Sequence, residues 1–249
     1  MFDPIEKAEE ICSIVVDDNK RKYYRISRAG RFYGGIATCD CVGCNLDCVF
    51  CWSNYPRNNP KKCGRFYNPE SIFQSLVSTA RRYGYRQLRI SGNEITISKK
   101  HLIELLKIVN NTNYIFILET NGTLIDEDYA RELKIFKNLR VRVSFKGTNR
   151  DEFALLTGAN PSGFDRQLLA LENLYKNKIS CWASVVISFS TEENVKNFKK
   201  LIGNVSKFLA ERIEYEMIFI LPHVKKRLEE KGIEPIIYEN TILNNGIAK

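Results

Sequence analysis

Short apolar stretches recur along the chain and alternate with longer segments in which apolar and polar residues are mixed. The short stretches are rich in valine, isoleucine and aromatic residues, a composition typical of buried β-strands. Six strands are predicted in this way, over residues 33–38, 86–91, 114–119, 140–145, 179–187 and 214–221. None of these stretches approaches the roughly 18 consecutive apolar residues that a membrane-spanning helix requires.

The longer segments between the strands carry apolar residues at helical spacing. Pro69 stands just inside the start of one segment and Ser98 is placed to cap another, and both residue types are favoured at these positions. Helices are predicted over residues 69–83, 98–109, 126–136, 162–177 and 191–208.

Strands that alternate with helices predict parallel strands joined by crossover helices. Six such units, without a clear seventh or eighth, predict an α/β fold of the partial (βα)6 barrel type. We expect a single domain over residues 1–249, with its core between about residues 33 and 221. A hairpin or an edge-strand extension is expected before this core. A helix and a loose end are expected beyond Pro222.

The chain carries a formal net charge of +9. Such an excess is compatible with a nucleic-acid partner or an anionic substrate. The basic residues are spread along the chain, however, and their longest runs are short. The N-terminus is acidic and lacks the basic-then-apolar layout of a signal peptide, so we expect a cytoplasmic protein without a membrane partner.

Eight cysteines are present, five of them between residues 39 and 51. Cys44, Cys48 and Cys51 form a C-x3-C-x2-C motif, which has an odd number of ligands. Structural zinc sites use four protein ligands, whereas three thiolates on one short loop suit a [4Fe–4S] cluster with one iron left open. We therefore predict that these three cysteines bind such a cluster. Cys39 and Cys41 are expected to be buried neighbours of the loop.

A zinc-binding module without catalytic activity is an alternative of a different class. In that case four of the five clustered cysteines would bind a single zinc ion. A small zinc module needs neither alternating strands and helices nor polar turns after the strands.

Polar residues and glycines follow several predicted strands where the strands end. The second strand is followed by Ser91-Gly92-Asn93-Glu94 and the third by Thr120-Asn121-Gly122, while the fourth ends in Ser144-Phe145-Lys146. The carboxyl ends of parallel strands meet at one edge of a barrel, where active sites lie. We therefore expect these turns to lie beside the cysteine loop, with backbone next to the glycines open to a cofactor.

The cysteine motif and these turns resemble those of the radical S-adenosylmethionine (SAM) superfamily, over about residues 33–221. The resemblance implies two cofactors, a [4Fe–4S] cluster and SAM. It implies that the cluster cleaves SAM reductively to methionine and a 5′-deoxyadenosyl radical, which abstracts hydrogen from a substrate. It also implies a low-potential electron donor such as ferredoxin or flavodoxin.

The same resemblance gives four residues a role in binding SAM. Phe50 occupies the position whose backbone meets the adenine. Gly92, Asn93 and Glu94 resemble the GGE motif, whose backbone and acidic side chain receive the amino group of SAM. Asn93 replaces the second glycine, and we expect it to tolerate a left-handed backbone.

Three further residues resemble cofactor contacts of activating-enzyme-like members of the superfamily. Asn121 belongs to a similar T-N-G turn. Ser144 and Lys146 lie where such members have Asp-x-Lys near the ribose and carboxylate of SAM, with serine in place of the aspartate. No motif identifies a residue that acts on the substrate.

The substrate class is left open by the sequence. The short chain and the T-N-G turn favour an activase of a glycyl-radical enzyme, which would act on a protein. The basic balance of the chain weakly favours an RNA base. Modification of a small molecule is the third hypothesis.

Single residues outside the motifs give weaker signals. His101 is expected on a helix surface, whereas His223 is a candidate to line the pocket. Arg142 is expected inside the barrel, paired with Glu119 or with an anionic substrate. The thiol of Cys63 is either a hydrogen-atom donor to a product radical or a structural residue.

Overall fold

A curved nine-stranded sheet carries helices on its outer face in the computed structural model, which describes residues 1–236. The strands are β1 (Val16–Asp17), β2 (Lys20–Gly30), β3 (Ile36–Cys41), β4 (Arg65–Tyr67), β5 (Gln87–Ser91), β6 (Ile115–Thr120), β7 (Leu139–Phe145), β8 (Cys181–Val186) and β9 (Glu214–Glu216). The helices are α1 (Pro4–Val15), α2 (Asn54–Asn58), α3 (Pro69–Tyr83), α4 (Lys99–Asn110), α5 (Glu127–Leu133), α6 (Arg150–Thr157), α7 (Ser162–Lys176), α8 (Glu192–Val205), α9 (Lys207–Ala210) and α10 (Pro222–Lys231).

Six strands, β3 and β5 to β9, lie side by side in chain order, and each is parallel to its neighbours. Helices connect consecutive members of this series, as parallel strands require. The predicted fold, a partial barrel of six parallel strands with crossover helices, is confirmed.

Two of the predicted strands have an end that differs from the structure by three residues or more. The first strand begins at Ile36 rather than at residue 33, because Tyr33 has a positive φ of 55° and Gly35 a φ of 119°, which together form a turn. The last strand ends at Glu216, and the apolar residues 217–221 form irregular backbone beside the cavity. Apolar β-branched composition alone does not distinguish such a lining segment from a strand.

The N-terminal extension contains more than a hairpin. Strands β1 and β2 do form an antiparallel hairpin at the sheet edge, and β2 also pairs with β3 and β4. Helix α1 precedes this hairpin and was not predicted. Asp3 caps it by accepting a hydrogen bond from Ile5 N at 2.6 Å, and Pro4 occupies its first turn. The loose end expected at the C-terminus lies outside the described residues.

The two faces of the parallel sheet have opposite chemistry. The outer face is apolar and forms the main core with the helices, through residues such as Leu88, Phe116 and Val141. The inner face carries charged side chains, including Arg89 and Arg142. Because a barrel interior is usually packed with branched apolar residues, this polar interior indicates a binding cavity. No helix among residues 1–236 has the length and apolar character needed to cross a bilayer.

His101 is buried, so the expectation that it lies on a helix surface is wrong. The side chain is fully enclosed on the inward face of α4. Its ring nitrogens lie 2.7 Å from the Tyr23 hydroxyl and 2.8 Å from the Asn19 carbonyl oxygen. Both partners come from the N-terminal hairpin, a tertiary contact that the local helical pattern does not reveal. Burial lowers the pKa of His101 to about 4.

We expect His101 to make the fold sensitive to acid. An unfolded chain binds a proton at this histidine below about pH 6.5, whereas the folded chain excludes it down to about pH 4. Stability should therefore fall as the pH drops through this interval, by up to about 3 kcal/mol. Urea unfolding of His101→Gln should show a weaker pH dependence between these limits. Lys107→Gln, an exposed change on the same helix, should match the wild type, and equal slopes for all three proteins would contradict the prediction.

Candidate active site

A cavity of about 530 Å³ opens at the carboxyl ends of the parallel strands. Its wall is built from the cysteine loop and from the turns that follow β5, β6 and β7. All the residues that the sequence singles out as ligands or cofactor contacts line it, namely Cys44, Cys48, Phe50, Cys51, Gly92, Asn93, Glu94, Asn121, Ser144 and Lys146. The structure therefore brings the predicted site together, and the contacts of each residue with a cofactor stay predictions.

The three cysteines of the motif differ in setting from the two that precede them. Cys39 and Cys41 belong to β3 and pack in the core on the outer face of the sheet, where Cys39 Sγ donates to the Ile26 carbonyl at 2.8 Å. Cys44, Cys48 and Cys51 instead face the cavity. Cys63 packs with the small cluster around α1 and is not among the described residues that line the cavity.

Burial raises the pKa of two of the motif thiols, Cys44 and Cys48, and so keeps them protonated until a cation binds. It raises the pKa of Cys48 to about 11, against the nearby positive charge of Lys146. Burial and the negative charge of Glu94 raise the pKa of Cys44 further. Metal binding must therefore displace protons from this loop.

Asn121 supports the start of the cysteine loop. Its Nδ2 donates to Asn45 Oδ1 at 2.8 Å and lies 3.9 Å from Cys44 Sγ. Asn45 in turn donates to Thr123 Oγ1 at 2.8 Å and to the Pro4 carbonyl. Hydrogen bonds from the T-N-G turn thus fix the position of the loop at its first cysteine. Residues that hydrogen-bond to metal ligands or to their neighbours commonly have this role.

Gly92 is the residue that the turn after β5 requires. Its φ is 90°, and a Cβ placed here would lie 3.0 Å from both Asp40 Cβ and the Cys41 carbonyl oxygen. Asn93 is not in the left-handed region, so the expected reason for its tolerance is wrong. It instead fastens the turn to the cysteine loop, accepting from Gly43 N at 2.8 Å and donating to the Ser53 carbonyl at 3.2 Å.

The carboxylate of Glu94 joins two of the strand-end turns. One oxygen accepts hydrogen bonds from Thr96 N, Thr96 Oγ1 and Thr120 Oγ1, at 3.1, 2.6 and 2.8 Å. The other accepts from Asn121 N at 2.7 Å. Because the side chain is only 3 % exposed, these contacts are made out of water and fix the relative position of the turns after β5 and β6.

Phe50, which is backed by Phe189, and Lys146 complete the wall near the cysteines. The rings of Phe50 and Phe189 stack with centroids 5.9 Å apart and an interplanar angle of 27°. Ser144 Oγ accepts from Arg142 Nη1 at 2.8 Å. Lys146 is half-buried and forms no ion pair within residues 1–236, so its ammonium group can meet an anion in the cavity.

Charged side chains deeper in the barrel are paired differently from the expectation. Arg142 is inside the barrel as predicted, but it pairs with Glu214 at 2.8 Å and with Glu216, both on β9. Glu119 instead accepts from Arg89 at 2.6 Å and from the Tyr33 hydroxyl at 2.9 Å. Register does not account for the exchange, since Glu119 lies level with Arg142 on the neighbouring strand, whereas Glu214 and Glu216 lie on β9, two strands away.

A second buried ionic group lies at the β3 side of the cavity. Asp40 is fully buried and accepts from Arg25 Nε at 2.5 Å and from Arg28 at 2.7 and 3.0 Å. The alternation of polar residues in the arginine-rich hairpin gave no sign of this contact. The group brings two guanidinium ions to one carboxylate and leaves this wall positively charged.

The backbone of the cysteine loop is held by side chains that the motifs do not contain. Arg57 Nη1 donates to the Cys48 carbonyl at 2.8 Å. Arg227 Nε donates to the Val49 carbonyl at 2.8 Å, and its Nη2 to the Cys51 carbonyl at 2.5 Å. His223 Nε2 lies 3.1 Å from the Trp52 carbonyl oxygen, so it contacts this loop instead of lining the described cavity.

The three thiols of the motif line one cavity, as a cluster with three protein ligands requires. Within the part of the chain that the structure describes, no three Cys, His, Asp or Glu side chains converge tightly enough to hold one metal ion. A four-iron cluster separates its cysteine ligands by its own width. Three thiols around one cavity, with the remaining wall open, match that demand.

Comparison with known proteins agrees with this geometry. The sequence model of the Radical SAM superfamily matches residues 40–202, which is more than half of the chain. The chain belongs to the radical SAM superfamily. Its cofactors are accordingly a [4Fe–4S] cluster and SAM, and the predictions of family, cofactors and enzymatic character are confirmed.

Named relatives are similar to this radical SAM chain over part of their length. An AdoMet-dependent heme synthase of Methanosarcina barkeri is 25% identical over 204 residues, which cover 81% of this chain and 54% of that protein. A probable GTP 3′,8-cyclase of Pyrococcus horikoshii is 30% identical over 135 residues, or 54% of this chain and 41% of that protein. The chain therefore spans about half the length of these curated relatives.

Solved structures show the same fold. The structure of TYW1 with a lysine-pyruvate adduct superposes with a TM-score of 0.54 at 15% identity, covering 79% of this chain and 72% of that chain. Streptococcus suis SuiB bound to S-adenosylmethionine also gives 0.54 at 15% identity, covering 81% and 52%. Both support the partial barrel.

Proposed function

We propose that this chain cleaves SAM reductively to a 5′-deoxyadenosyl radical, which abstracts hydrogen from a substrate held in the same cavity. One observation carries the proposal, namely that three cavity-facing thiols share their wall with the turns of β5, β6 and β7. When bound, the cluster supplies one electron to SAM, and SAM supplies the radical. The electron is proposed to come from a low-potential donor such as ferredoxin or flavodoxin.

The chain's own residues orient SAM and exclude water. Lys146 is placed to pair with the carboxylate of SAM, because its ammonium group lies in the cavity wall close enough to act on Cys48. Phe50, which lines the cavity and is backed by Phe189, offers an apolar surface for a flat adenine ring. Gly92 leaves backbone accessible at the point where the turn meets the cavity.

The substrate is proposed to be a small, charged molecule. Ion pairs formed by Arg89 and Arg142 line the inner part of the cavity, where a polar ligand can exchange contacts with them. The names of the relatives, a heme synthase and a GTP cyclase, also refer to small charged molecules. A glycyl loop of a protein substrate carries few charged groups that could pair with these arginines and glutamates. The basic residues of the chain are spread over the sequence and form no long run, so an RNA substrate is less favoured.

The proposal is tested with anaerobically reconstituted protein. We expect brown protein that holds iron and sulfide in near-equal amounts. With SAM and a strong reductant it should release 5′-deoxyadenosine and methionine, slowly even without substrate, as chromatography can measure. Colourless protein that holds one zinc ion and releases neither product would contradict the proposal and support the zinc-binding alternative.

A further inference from the structure

Helix α10 lies directly against the cysteine loop. Its buried residues Val224 and Leu228 pack with Val49 of the loop and with Phe189 beyond β8, in a small apolar cluster. On the same helix, one turn apart, His223 and Arg227 reach the backbone of the loop. The helix is thus attached to the loop both by apolar packing and by hydrogen bonds.

The loop after Cys48 has backbone groups that no helix or strand satisfies. Residues 48–52 contain only turns and irregular backbone, so most of their carbonyl groups need partners from elsewhere in the chain. Arg227 donates to the carbonyls of Val49 and Cys51 at 2.8 and 2.5 Å, and the Trp52 carbonyl is 3.1 Å from His223 Nε2. The amide of Val49 is held from the other side by the Leu156 carbonyl at 2.9 Å. Two sides of the loop are therefore fixed by different elements.

The guanidinium of Arg227 also places charge beside the cysteines. Arg227 donates to the Cys51 carbonyl and Arg57 to the Cys48 carbonyl, so two guanidinium groups lie beside the same loop. Its Nη1 is buried and has no partner within the described residues. An anion at the cysteines would offset the repulsion between the two guanidinium groups.

We propose that α10 is a clamp on the cluster loop, in which Arg227 positions Cys51 and stabilises the reduced cluster with its charge. The inference rests on the proposed function. One electron from the external low-potential donor adds one negative charge to the cluster, and a fixed cation close to it favours that state. Arg227 holds two carbonyls at once through its planar fork, which lysine cannot reproduce.

The test compares anaerobically reconstituted full-length wild type, Arg227→Gln, Arg227→Lys and Lys225→Gln. Lys225 is exposed on the same helix, and within residues 1–236 its one ion pair is a 3.8 Å surface contact with Glu229, so its variant is the matched control. Iron release to a chelator measures how firmly the loop holds the cluster. A redox titration followed by electron paramagnetic resonance measures the potential, which a merely structural role would leave unchanged.

We expect Arg227→Gln to release iron about 10-fold faster than the wild type and to shift the reduction potential to more negative values. Arg227→Lys should retain most of the potential because it keeps the charge, while it releases iron faster because one carbonyl loses its donor. Lys225→Gln should equal the wild type in both measurements. If the wild type holds iron and Arg227→Gln equals Lys225→Gln in both iron release and reduction potential, the clamp is wrong while the proposed function stands. A wild-type chain that holds no iron overturns the proposed function and the clamp with it.

Discussion

Cys48→Ala is expected to abolish the release of 5′-deoxyadenosine. Cys48 is the middle residue of the three-thiol motif and faces the cavity. With one thiolate removed, only two protein ligands remain on the loop, and the cluster loses its anchoring. Changes behind metal ligands alone cost about 10–100-fold in affinity or activity, so loss of a ligand itself should reduce the rate at least about 100-fold.

Two other cysteines supply controls for this change. Cys41→Ala removes a thiol buried on the outer face of β3, three residues before the motif, and Cys12→Ala removes one from α1. Iron, sulfide and 5′-deoxyadenosine would be measured side by side in all three variants. We expect iron and activity to be lost only in Cys48→Ala. Retention of both in that variant would show that the ligands have been assigned incorrectly.

The sequence predicts those parts of the site that are formed by residues close together in the chain. The ligand set depends on a short loop, and spacing along the chain describes it fully. The turns after β5, β6 and β7 were placed correctly because parallel strands bring their carboxyl ends to one edge, whatever the details of packing. Helix α3 was predicted to the residue from Pro69 at its start, and the structure shows that Gly84 ends it in a left-handed conformation.

The remaining contacts depend on residues far apart in the chain. Arg142 was expected to meet Glu119, but the open barrel brings β9 next to β8 and offers Glu214 and Glu216 instead. His101 was expected in solvent because α4 is amphipathic, and the hairpin that covers it comes from residues about 80 positions earlier. Arg227 is linked to the loop across a separation of 176 residues. The spacing of residues within one segment does not predict contacts between segments that lie this far apart in the chain.

Two hypotheses describe the role of Glu94 in the turn after β5. The family resemblance makes its carboxylate a partner of the SAM amino group. The structure shows that the same carboxylate already accepts four hydrogen bonds from Thr96, Thr120 and Asn121. A group whose acceptor sites face the protein acts on SAM by fixing the neighbouring backbone. The two accounts predict different behaviour when the side chain is changed.

We expect Glu94→Ala to destabilise the protein strongly and to weaken SAM binding with it. The change leaves two hydroxyl groups and the amides of Thr96 and Asn121 without their partner in a buried site, at about 1–3 kcal/mol for each group, so a loss of at least about 4 kcal/mol is expected. Glu94→Gln should lose less, because its one remaining oxygen can still accept. Thr96→Val, which deletes a single contact, should cost about 1 kcal/mol.

Chemical unfolding and calorimetric SAM titration of these variants decide between the accounts. If Glu94 organises the two turns, stability and SAM affinity fall together, in the order Thr96→Val, Glu94→Gln, Glu94→Ala. If the carboxylate instead serves SAM directly, Glu94→Gln loses affinity while its unfolding midpoint stays at the wild-type value. The buried position and the four hydrogen bonds favour the first outcome, in which the acidic residue of this turn is a structural link between neighbouring strands.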